Sequence, residues 1–172
     1  MKFVRGGLQM TTIRDCIAPD RNPKVPSIKL PEGSIDTHVH IFESQYPLFE
    51  GRGYNPPDST LDDLKYLHSQ LGVSRVVYTQ PSPYGVDNSA ILKGMKVMND
   101  ETPGRARGVC AIKMDVSDDF LEDLDKQGIK GVRLNMDNIG GMPIGLDEIP
   151  TLEARIKAVS YTHLTLPTTV RV

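Results

Sequence analysis

The sequence predicts an α/β fold with a parallel β-sheet, and two observations carry this prediction. Strand-like and helix-like segments alternate four times along the chain, and each strand-helix unit occupies about 20 to 30 residues. Strands that alternate with helices in this way lie parallel and are joined by right-handed crossovers. The chain has 172 residues, whereas a complete barrel of eight such units takes about 250 residues. The pattern therefore indicates either an open doubly wound sheet or an unfinished barrel.

Composition and charge exclude several classes of function. The chain has 20 Lys and Arg against 22 Asp and Glu, which gives no support to binding of nucleic acid or an anionic membrane. No apolar run approaches the roughly 20 residues that span a bilayer, and the amino terminus lacks the apolar core of a signal peptide. Cys16 and Cys110 are too few for a disulfide framework. We therefore expect a cytoplasmic protein with neither nucleic-acid nor membrane partners, and the sequence leaves its oligomeric state open.

The first predicted elements are an arm, a strand and a long loop. Residues 1–30 mix charges and prolines without an apolar period, which is typical of an irregular arm. Residues 34–42 alternate β-branched and polar side chains after a turn signal and predict the first strand. Residues 43–60 are rich in Gly and Pro and long for a loop without structure of its own. Loops of this kind are often functional, so this one is a candidate substrate lid.

The next segments predict three further strands and four helices. Leucines recur at helical spacing over residues 61–71, with Thr60 as a candidate cap and Gly72 as the stop, and His68 is assigned to the helix surface. Asp87 and Asn88 are predicted to cap the second helix. The other strands are predicted at 74–79, 107–112 and 129–135, and the other helices at 88–99, 118–127 and 146–158.

Residues 159–172 depart from the preceding pattern. The helical period ends at Ala158 without a cap, and a β-branched, Thr-rich string follows. The string from Val159 to Thr168 can be back-translated, codon for codon, into a sequence that resembles a transposon adapter of short-read libraries. We therefore expect residues 159–172 to be a non-native read-through tail, in which His163 has no role as a ligand. The alternative is a genuine fifth strand over residues 159–166.

Two histidines at the end of the first predicted strand are candidates for catalysis. His38 and His40 lie two residues apart, so strand geometry points both imidazoles to one face, which in a parallel barrel is the interior. Such a pair can hold a divalent metal through neutral nitrogens, or polarise a bound carbonyl as hydrogen-bond donors. A satisfied interior histidine is the structural alternative. Asp36, which precedes the pair on the strand, favours the functional interpretation.

Arg133 is a candidate for binding an anion. It lies in a predicted strand that should be buried on both faces, where an unpaired guanidinium is very costly. Either an internal carboxylate neutralises it, or it forms a bidentate pair with a substrate carboxylate. Asn135 shares its face. Ser82, after the second strand, and Tyr54, in the long loop, carry hydroxyls able to contact the same ligand, with a turn serine and a solvent-facing tyrosine as alternatives.

Four segments together resemble the amidohydrolase superfamily, and in particular its branch of 2-pyrone-4,6-dicarboxylate hydrolases and sugar lactonases. The segments are residues 31–42, the Tyr46-Pro47 pair ahead of Tyr54, residues 80–88 and residues 130–135. The likeness is collinear over four strand ends and runs from Pro31 to Ala158. It implies a (β/α)₈ TIM barrel truncated to about its first four β/α units, with residues 31–158 as the amino-terminal half.

The resemblance also implies a reaction and a set of site residues. By position, His38 and His40 match the histidines that line the family's substrate site, and Arg133 matches its strand-four arginine. Ser82 and Tyr54 match a serine and a tyrosine that contact the lactone. The implied substrate is a small carboxylate-bearing lactone, such as 2-pyrone-4,6-dicarboxylate or a sugar-acid lactone, and the implied reaction is hydrolysis.

Two departures from the family narrow these expectations. A second arginine that grips the pyrone dicarboxylate has no counterpart in residues 136–141, which leaves other lactones open. The family's general base, an aspartate on the last strand, lies beyond Ala158, so we expect the chain alone to be inactive.

The resemblance leaves both the presence of a metal and the class of reaction open. The superfamily usually binds zinc or a similar ion through the pair matched by His38 and His40, while the lactonase branch works without a metal. The two histidines are therefore metal ligands only if a metal is bound. The alternative functions are a metal-dependent decarboxylase or amide hydrolase of the same superfamily, or a non-catalytic half-barrel that self-associates to cover its open edges.

Overall fold

The computed structural model describes residues 13–134, 144–158 and 163–165, and a five-stranded parallel sheet forms its centre. In chain order the strands are β1 (Arg14–Asp15), β2 (Ile35–Val39), β3 (Tyr54–Asn55), β4 (Arg75–Thr79), β5 (Ala106–Cys110), β6 (Ile129–Arg133) and β7 (His163–Thr165). The α-helices are α1 (Leu61–Leu71), α2 (Ser89–Glu101), α3 (Asp118–Lys126) and α4 (Ile149–Ala158), and 3₁₀ turns occupy Ser82–Tyr84 and Leu146–Glu148. The central sheet has the order β2-β4-β5-β6-β7, and β1 pairs in parallel with β3 in a separate ribbon.

The predicted alternation of strands and helices is confirmed. Each strand of the central sheet pairs in parallel with the next strand of the same sheet along the chain, β2 with β4, β4 with β5, and so on to β7. Successive parallel strands need a crossover, and α1, α2 and α3 supply it between β2 and β6. Within the segment expected to be a non-native tail, the described residues are those of β7, which pairs with β6.

The ends of α1 follow directly from the local sequence. The Thr60 hydroxyl accepts a hydrogen bond from the Asp63 N–H at 3.2 Å, and the Asp63 carboxylate accepts from the Thr60 N–H at 3.0 Å. This reciprocal arrangement is a capping box, which satisfies two otherwise unpaired donors. At the other end Gly72 has φ +76°, a left-handed conformation that glycine adopts without steric cost.

The first strand of the sheet is shorter than predicted because its pairing is irregular. The register of β2 against β4 shifts between Asp36 and Val39, which marks a bulge. A bulge adds a residue to one strand and changes which face the following side chains occupy. The predicted extension to Phe42 lies beyond the parallel ladder, where Phe42 forms an isolated antiparallel bridge with Ser59.

Helix α2 is tied to the sheet by an asparagine at each end. The Asn88 side chain bonds both backbone groups of Ala111, donating to its oxygen at 2.8 Å and accepting from its N–H at 3.0 Å. The Asn99 side chain repeats the arrangement on Ala106, at 3.1 and 2.9 Å. Asn88 occupies the N-cap position of α2 as predicted, but its side chain makes no cap hydrogen bond, because it is engaged by Ala111. Asp87 does act as predicted, since its carboxylate accepts from the Ser89 N–H at 3.0 Å.

The core lies between the sheet and the helices. Ile41, just beyond β2, and Tyr78 of β4 both face α2, where a Cβ at Gly94 would stand 3.0 and 3.2 Å from their side chains. The largest fully buried apolar side chains are Ile41, Tyr78, Ile91, Met95, Met98, Leu121, Leu124, Ile129, Leu134 and Leu152. No helix in the described part of the chain is long and apolar enough to cross a membrane.

Gly108 leaves no room for a side chain where β5 passes beneath α2. A Cβ at this position would lie 2.5 Å from both Ile129 Cδ1 and Met95 Sδ. We expect Gly108→Ala to lower the free energy of unfolding by about 1 to 3 kcal/mol, as overpacked core sites do. Urea denaturation measures this, and Arg107→Ala, at an exposed position of the same strand, should stay within about 0.5 kcal/mol. Equal losses in both variants would contradict the overpacking argument.

Candidate active site

The predicted site residues lie at the carboxyl ends of three strands of the central sheet, β2, β4 and β6, and in the first loop. His38 and His40 come from the end of β2, Ser82 follows β4, and Arg133 is the last residue of β6. Tyr54 reaches the same place from β3, within the loop of residues 43–60. In parallel sheets the carboxyl ends of the strands share one edge, so residues far apart in sequence converge there. Asn135, which the sequence grouped with Arg133, lies outside the described residues.

The two histidines face the same side of the strand, as their spacing predicts. Their ring centroids are 5.0 Å apart and the rings are nearly perpendicular. His40 Nδ1 lies 2.7 Å from the Thr79 carbonyl oxygen. A carbonyl oxygen only accepts hydrogen bonds, so Nδ1 carries the proton and the Nε2 of a neutral His40 is left with a free lone pair.

Both imidazoles are held in the neutral form. Burial, together with the positive charge of Arg133, lowers the pKa of His40 to about 4, although its hydrogen bond to Thr79 acts in the opposite direction. Burial and the same guanidinium also lower the pKa of the more exposed His38, against the charge of Asp36. The pair therefore offers neutral nitrogens, and the Nε2 lone pair of His40 can accept a hydrogen bond or bind a metal.

These depressed pKa values make the stability of the fold sensitive to acid. The pKa of His40 falls from 6.5 to about 4 on folding, so between these values the unfolded chain binds more protons. The free energy of unfolding should therefore fall as the pH drops from 6.5 to 4, and His40 should cause no further loss below that range. Its contribution is at most about 3 kcal/mol, because one pKa unit corresponds to about 1.4 kcal/mol.

Denaturation at about pH 7 and about pH 4.5 tests this expectation. His40→Asn is the comparison variant, since an amide N–H can still donate to the Thr79 oxygen but does not titrate. It should lose less stability on acidification than the parent chain. An equal loss would show that other groups, and not His40, control the acid response.

Arg133 is the cationic centre of the site. It is partly buried, and its Nη1 donates to the backbone oxygen of Gln80 at 2.8 Å. Within residues 13–134, 144–158 and 163–165, no carboxylate lies at ion-pair distance from its guanidinium. Burial lowers the pKa of Arg133, and the nearby Tyr54 hydroxyl opposes that shift. Of the two partners that the sequence allows, the described residues thus supply no internal carboxylate.

Tyr54 and Ser82 form the polar wall beside Arg133. Ser82 and the positive charge of Arg133 both act to lower the pKa of the Tyr54 hydroxyl. Burial nevertheless raises the pKa of Tyr54, so its hydroxyl keeps its proton at neutral pH. The Tyr54 ring packs edge-on against Phe42, with centroids 6.5 Å apart. Tyr54 is partly buried, so the solvent-facing alternative does not describe it, whereas Ser82 begins the 3₁₀ turn of Ser82–Tyr84, as the turn-serine alternative predicts.

His68 is a residue that the sequence interpretation placed wrongly. It is 1% exposed, and its Nε2 lies 3.2 Å from the Asp36 carboxylate. The other carboxylate oxygen of Asp36 accepts the His38 N–H at 3.3 Å, so a helix outside the sheet is linked to the backbone of the site. His68 follows Leu64 by four residues, and both occupy the buried face of α1. The four-residue spacing from Leu64 is the feature of the sequence that indicates a buried His68. The leucines alone define an apolar stripe on α1 that is too narrow to include this residue.

The described residues supply an incomplete set of ligands for zinc. Catalytic zinc sites use three protein ligands and an open position. His38 and His40 offer two imidazoles, while the nearest acidic residue in their strand, Asp36, is engaged by His68. Among the described residues no group of three or more His, Cys, Asp or Glu side chains is arranged to hold a metal ion.

Comparison with known proteins gives relatives with named activities. The chain is 37% identical over 116 residues to a 2-pyrone-4,6-dicarboxylate hydrolase of Comamonas testosteroni, an alignment that covers 66% of this chain and 37% of the relative. It is 34% identical over 120 residues to a 4-sulfomuconolactone hydrolase of Hydrogenophaga intermedia, covering 69% of this chain and 38% of the relative. The chain thus spans less than half the length of these curated relatives.

Solved structures agree with the fold. A ligand-free Agrobacterium tumefaciens protein superposes with a TM-score of 0.70 at 27% identity, over 82% of this chain and 50% of the other. An Acinetobacter baumannii protein, described as a 2-pyrone-4,6-dicarboxylic acid hydrolase with citric acid bound, superposes with a TM-score of 0.67 at 25% identity, over 78% and 49%. These neighbours are TIM-barrel proteins, which confirms the predicted fold class and decides against an open doubly wound sheet.

The family assignment rests on a profile match over more than half of the chain. A sequence profile of the amidohydrolase family matches residues 35–154, a range that includes every strand of the central sheet from β2 to β6. Four of the five predicted site residues lie at or just after the carboxyl ends of strands of that sheet, and Tyr54 lies in the loop after β2. The chain belongs to the amidohydrolase family, and its similar relatives in this family include lactone hydrolases.

Proposed function

We propose that this chain forms the part of a lactonase site that binds the carboxylate and carbonyl of a cyclic ester. The observation that carries the proposal is Arg133, a partly buried guanidinium that donates to the backbone oxygen of Gln80 and has no carboxylate partner among the described residues. A buried cation without an anion is costly, and a ligand carboxylate is the partner that would offset that cost. The named activities of the relatives, both lactone hydrolases, favour the same substrate class.

The surrounding groups suit a lactone that carries a carboxylate. Arg133 binds the carboxylate through two parallel N–H donors, which fixes the plane of the ligand. Tyr54, neutral because its pKa is raised, donates its hydroxyl to an oxygen of the substrate, with Ser82 beside it. His38 and His40 lie next to the carbonyl end, where their neutral nitrogens can accept a hydrogen bond from an attacking water.

The reaction that follows is addition of water to an ester carbonyl. The water oxygen bonds to the carbonyl carbon, the ring C–O bond breaks, and the ring oxygen leaves with a proton as a hydroxyl group. A general base must take the proton of the water. Asp36 points to His68 and no other carboxylate of the described residues acts on the histidine pair, so we expect this chain to bind lactones without turning them over.

Ligand binding by the purified chain tests the proposal. We expect 2-pyrone-4,6-dicarboxylate to shift the imidazole NMR signals of His38 and His40 in a saturable way. Its dimethyl ester is the matched control, because it keeps the pyrone ring and the carbonyl but lacks both negative charges. The ester should bind at least about tenfold more weakly, as the loss of a charged hydrogen-bonded pair predicts.

Two outcomes would contradict the proposed function. One is equal binding of the dicarboxylate and its ester, since the carboxylate would then play no part. The other is the absence of any saturable shift with either compound at millimolar concentration, which would favour a non-catalytic half-barrel instead. Detectable hydrolysis of the pyrone by this chain would support the lactonase assignment but contradict the expected lack of turnover.

A further inference from the structure

The amino-terminal arm is paired with the loop that carries Tyr54. Although the sequence predicts an irregular arm, β1 pairs in parallel with β3, with Arg14 opposite Tyr54 and Asp15 opposite Asn55. The Cys16 N–H continues the ladder by donating to the Asn55 oxygen at 2.9 Å. A ribbon of two short strands has little stability of its own, so its order depends on additional contacts.

Asn55 supplies those contacts. Its side-chain N–H donates to the Asp15 carboxylate at 2.9 Å, and its side-chain oxygen accepts from Arg52 Nε at 2.8 Å. Together with the backbone bond from Cys16, three hydrogen bonds converge on the residue that follows Tyr54. Asn55 therefore links the arm to the loop through both its backbone oxygen and its side chain.

The arm is anchored to the domain a second time, further along the chain. Arg21 Nε lies 3.1 Å from the Asp63 carboxylate, at the first turn of α1. Its Nη2 donates to the Asp58 oxygen at 3.1 Å, in the same loop as Tyr54. Residues 14–21, here called the strap, therefore cross the second half of the loop and are fixed at both ends.

The other half of the loop is held by the turn after β4. The Phe49 N–H donates to the Pro83 oxygen at 2.7 Å, and the Glu43 N–H donates to the Tyr84 hydroxyl at 2.9 Å. None of these bonds involves residues 50–57, which contain Tyr54. The backbone on either side of Tyr54 is thus positioned chiefly by the strap, whereas its side chain faces Phe42 and Ser82.

We propose that the strap holds Tyr54 against Ser82 and Arg133, and that Asp15 and Asn55 are positioning residues for this tyrosine. The part of the proposal that concerns ligands rests on the proposed function, because Tyr54 is there a substrate contact. The placement of Tyr54 itself does not depend on any ligand.

Two double variants at the same positions test the strap. The first removes its contacts to Asn55, and the second is a matched control that keeps them. Asp15→Ala with Cys16→Pro removes the carboxylate acceptor and the backbone N–H donor. Asp15→Asn with Cys16→Ala alters the same two positions but keeps an acceptor oxygen and the N–H. Both positions are exposed, so the core is unaffected and the two variants should fold alike.

The first readout is the Tyr54 ring signal in protein labelled with ¹³C-tyrosine, identified through Tyr54→Phe. We expect the strap-breaking variant to shift or broaden this signal while the matched control leaves it in place, and the signal of Tyr78, in the core, should not move in either variant. An unchanged Tyr54 signal in the strap-breaking variant, or an equal change in both variants, would overturn the proposal.

The second readout is a double-mutant cycle on the dissociation constant for 2-pyrone-4,6-dicarboxylate. Tyr54→Phe should weaken binding by about fivefold in the parent chain, the usual effect of one hydrogen bond, and by less than about twofold in the strap-breaking variant. Additive losses would overturn the proposal, since Tyr54 would then act without the strap. If the parent chain does not bind the pyrone at all, the proposed function fails, and the tyrosine signal alone decides on the strap.

Discussion

Replacing Arg133 with methionine is expected to weaken binding of a lactone dicarboxylate by about 30-fold to 900-fold. Methionine keeps most of the apolar stem but removes the guanidinium, and truncating one member of a desolvated charge pair costs about 2 to 4 kcal/mol. The change should also raise the pKa of both His38 and His40, because the positive charge of Arg133 disfavours their protonated forms. Isothermal titration calorimetry measures the affinity, and NMR titration of the imidazole signals measures the two pKa values.

The two measurements separate a binding role from a general loss of structure. Arg107→Met removes a cation of the same type from an exposed position on β5 and should change neither the affinity nor the histidine pKa values. Arg133→Lys should keep the pKa values low but recover only part of the affinity, because an ammonium lacks the planar fork of a guanidinium. Should Arg133→Met raise the histidine pKa values and leave the affinity intact, the carboxylate must bind elsewhere.

Replacing Asn88 with alanine is expected to produce a large loss of stability, about 2 to 5 kcal/mol. The variant leaves the N–H and the oxygen of Ala111 without partners in a buried place, and each unsatisfied buried group costs about 1 to 3 kcal/mol. Asn88 is 6% exposed, so water has little access to replace it. Urea denaturation, followed by circular dichroism, gives the change in the free energy of unfolding.

Asn99 provides a control within the same helix. It makes the same pair of bonds to Ala106 but is only partly buried, so water can satisfy the freed backbone groups. We expect Asn99→Ala to cost about 1 kcal/mol, clearly less than Asn88→Ala. If the two variants lose equal stability, burial is not what makes Asn88 important.

The sequence predicts those parts of the fold that depend on neighbouring residues. Thr60 and Gly72 bound α1, and Ser117 caps α3 through its hydroxyl, because capping is a contact over three or four positions. The site residues could be grouped for a related reason. His38 and Arg133 end strands of one parallel sheet, and strand ends meet whatever the intervening sequence is.

Contacts between distant residues are what the sequence does not reveal. His68 and Asp36 are 32 positions apart, and neither carries a local sign that it pairs with the other. Asn88 precedes a helix, so the sequence predicts that its side chain caps that helix. In the fold the side chain instead accepts from the Ala111 N–H, a contact that the sequence does not indicate. The bulge in β2 is hidden for the same reason, because pairing with β4, and not the alternation of side chains, shows where the register shifts.

The pairing of the amino-terminal arm with the first loop is the feature of the fold that the sequence indicates least. Two-residue strands such as β1 and β3 are too short to display a period, and three of their four residues, Arg14, Asp15 and Asn55, have no strong strand preference. Their order depends on Asn55, which is found from its contacts alone. The arm therefore looked irregular although it holds a site residue in place.

The order of the central sheet has a consequence for how the chain acquires its structure. Because β2, β4, β5, β6 and β7 are adjacent in the same order in which they are synthesised, each strand after β2 finds a partner already present when it leaves the ribosome. Within the described sheet, neighbouring strands are separated by one crossover, so the entropy lost in closing each connection is that of one crossover. The sheet can therefore grow by one strand at a time during translation, and the pair of β2 and β4 is available first as the template.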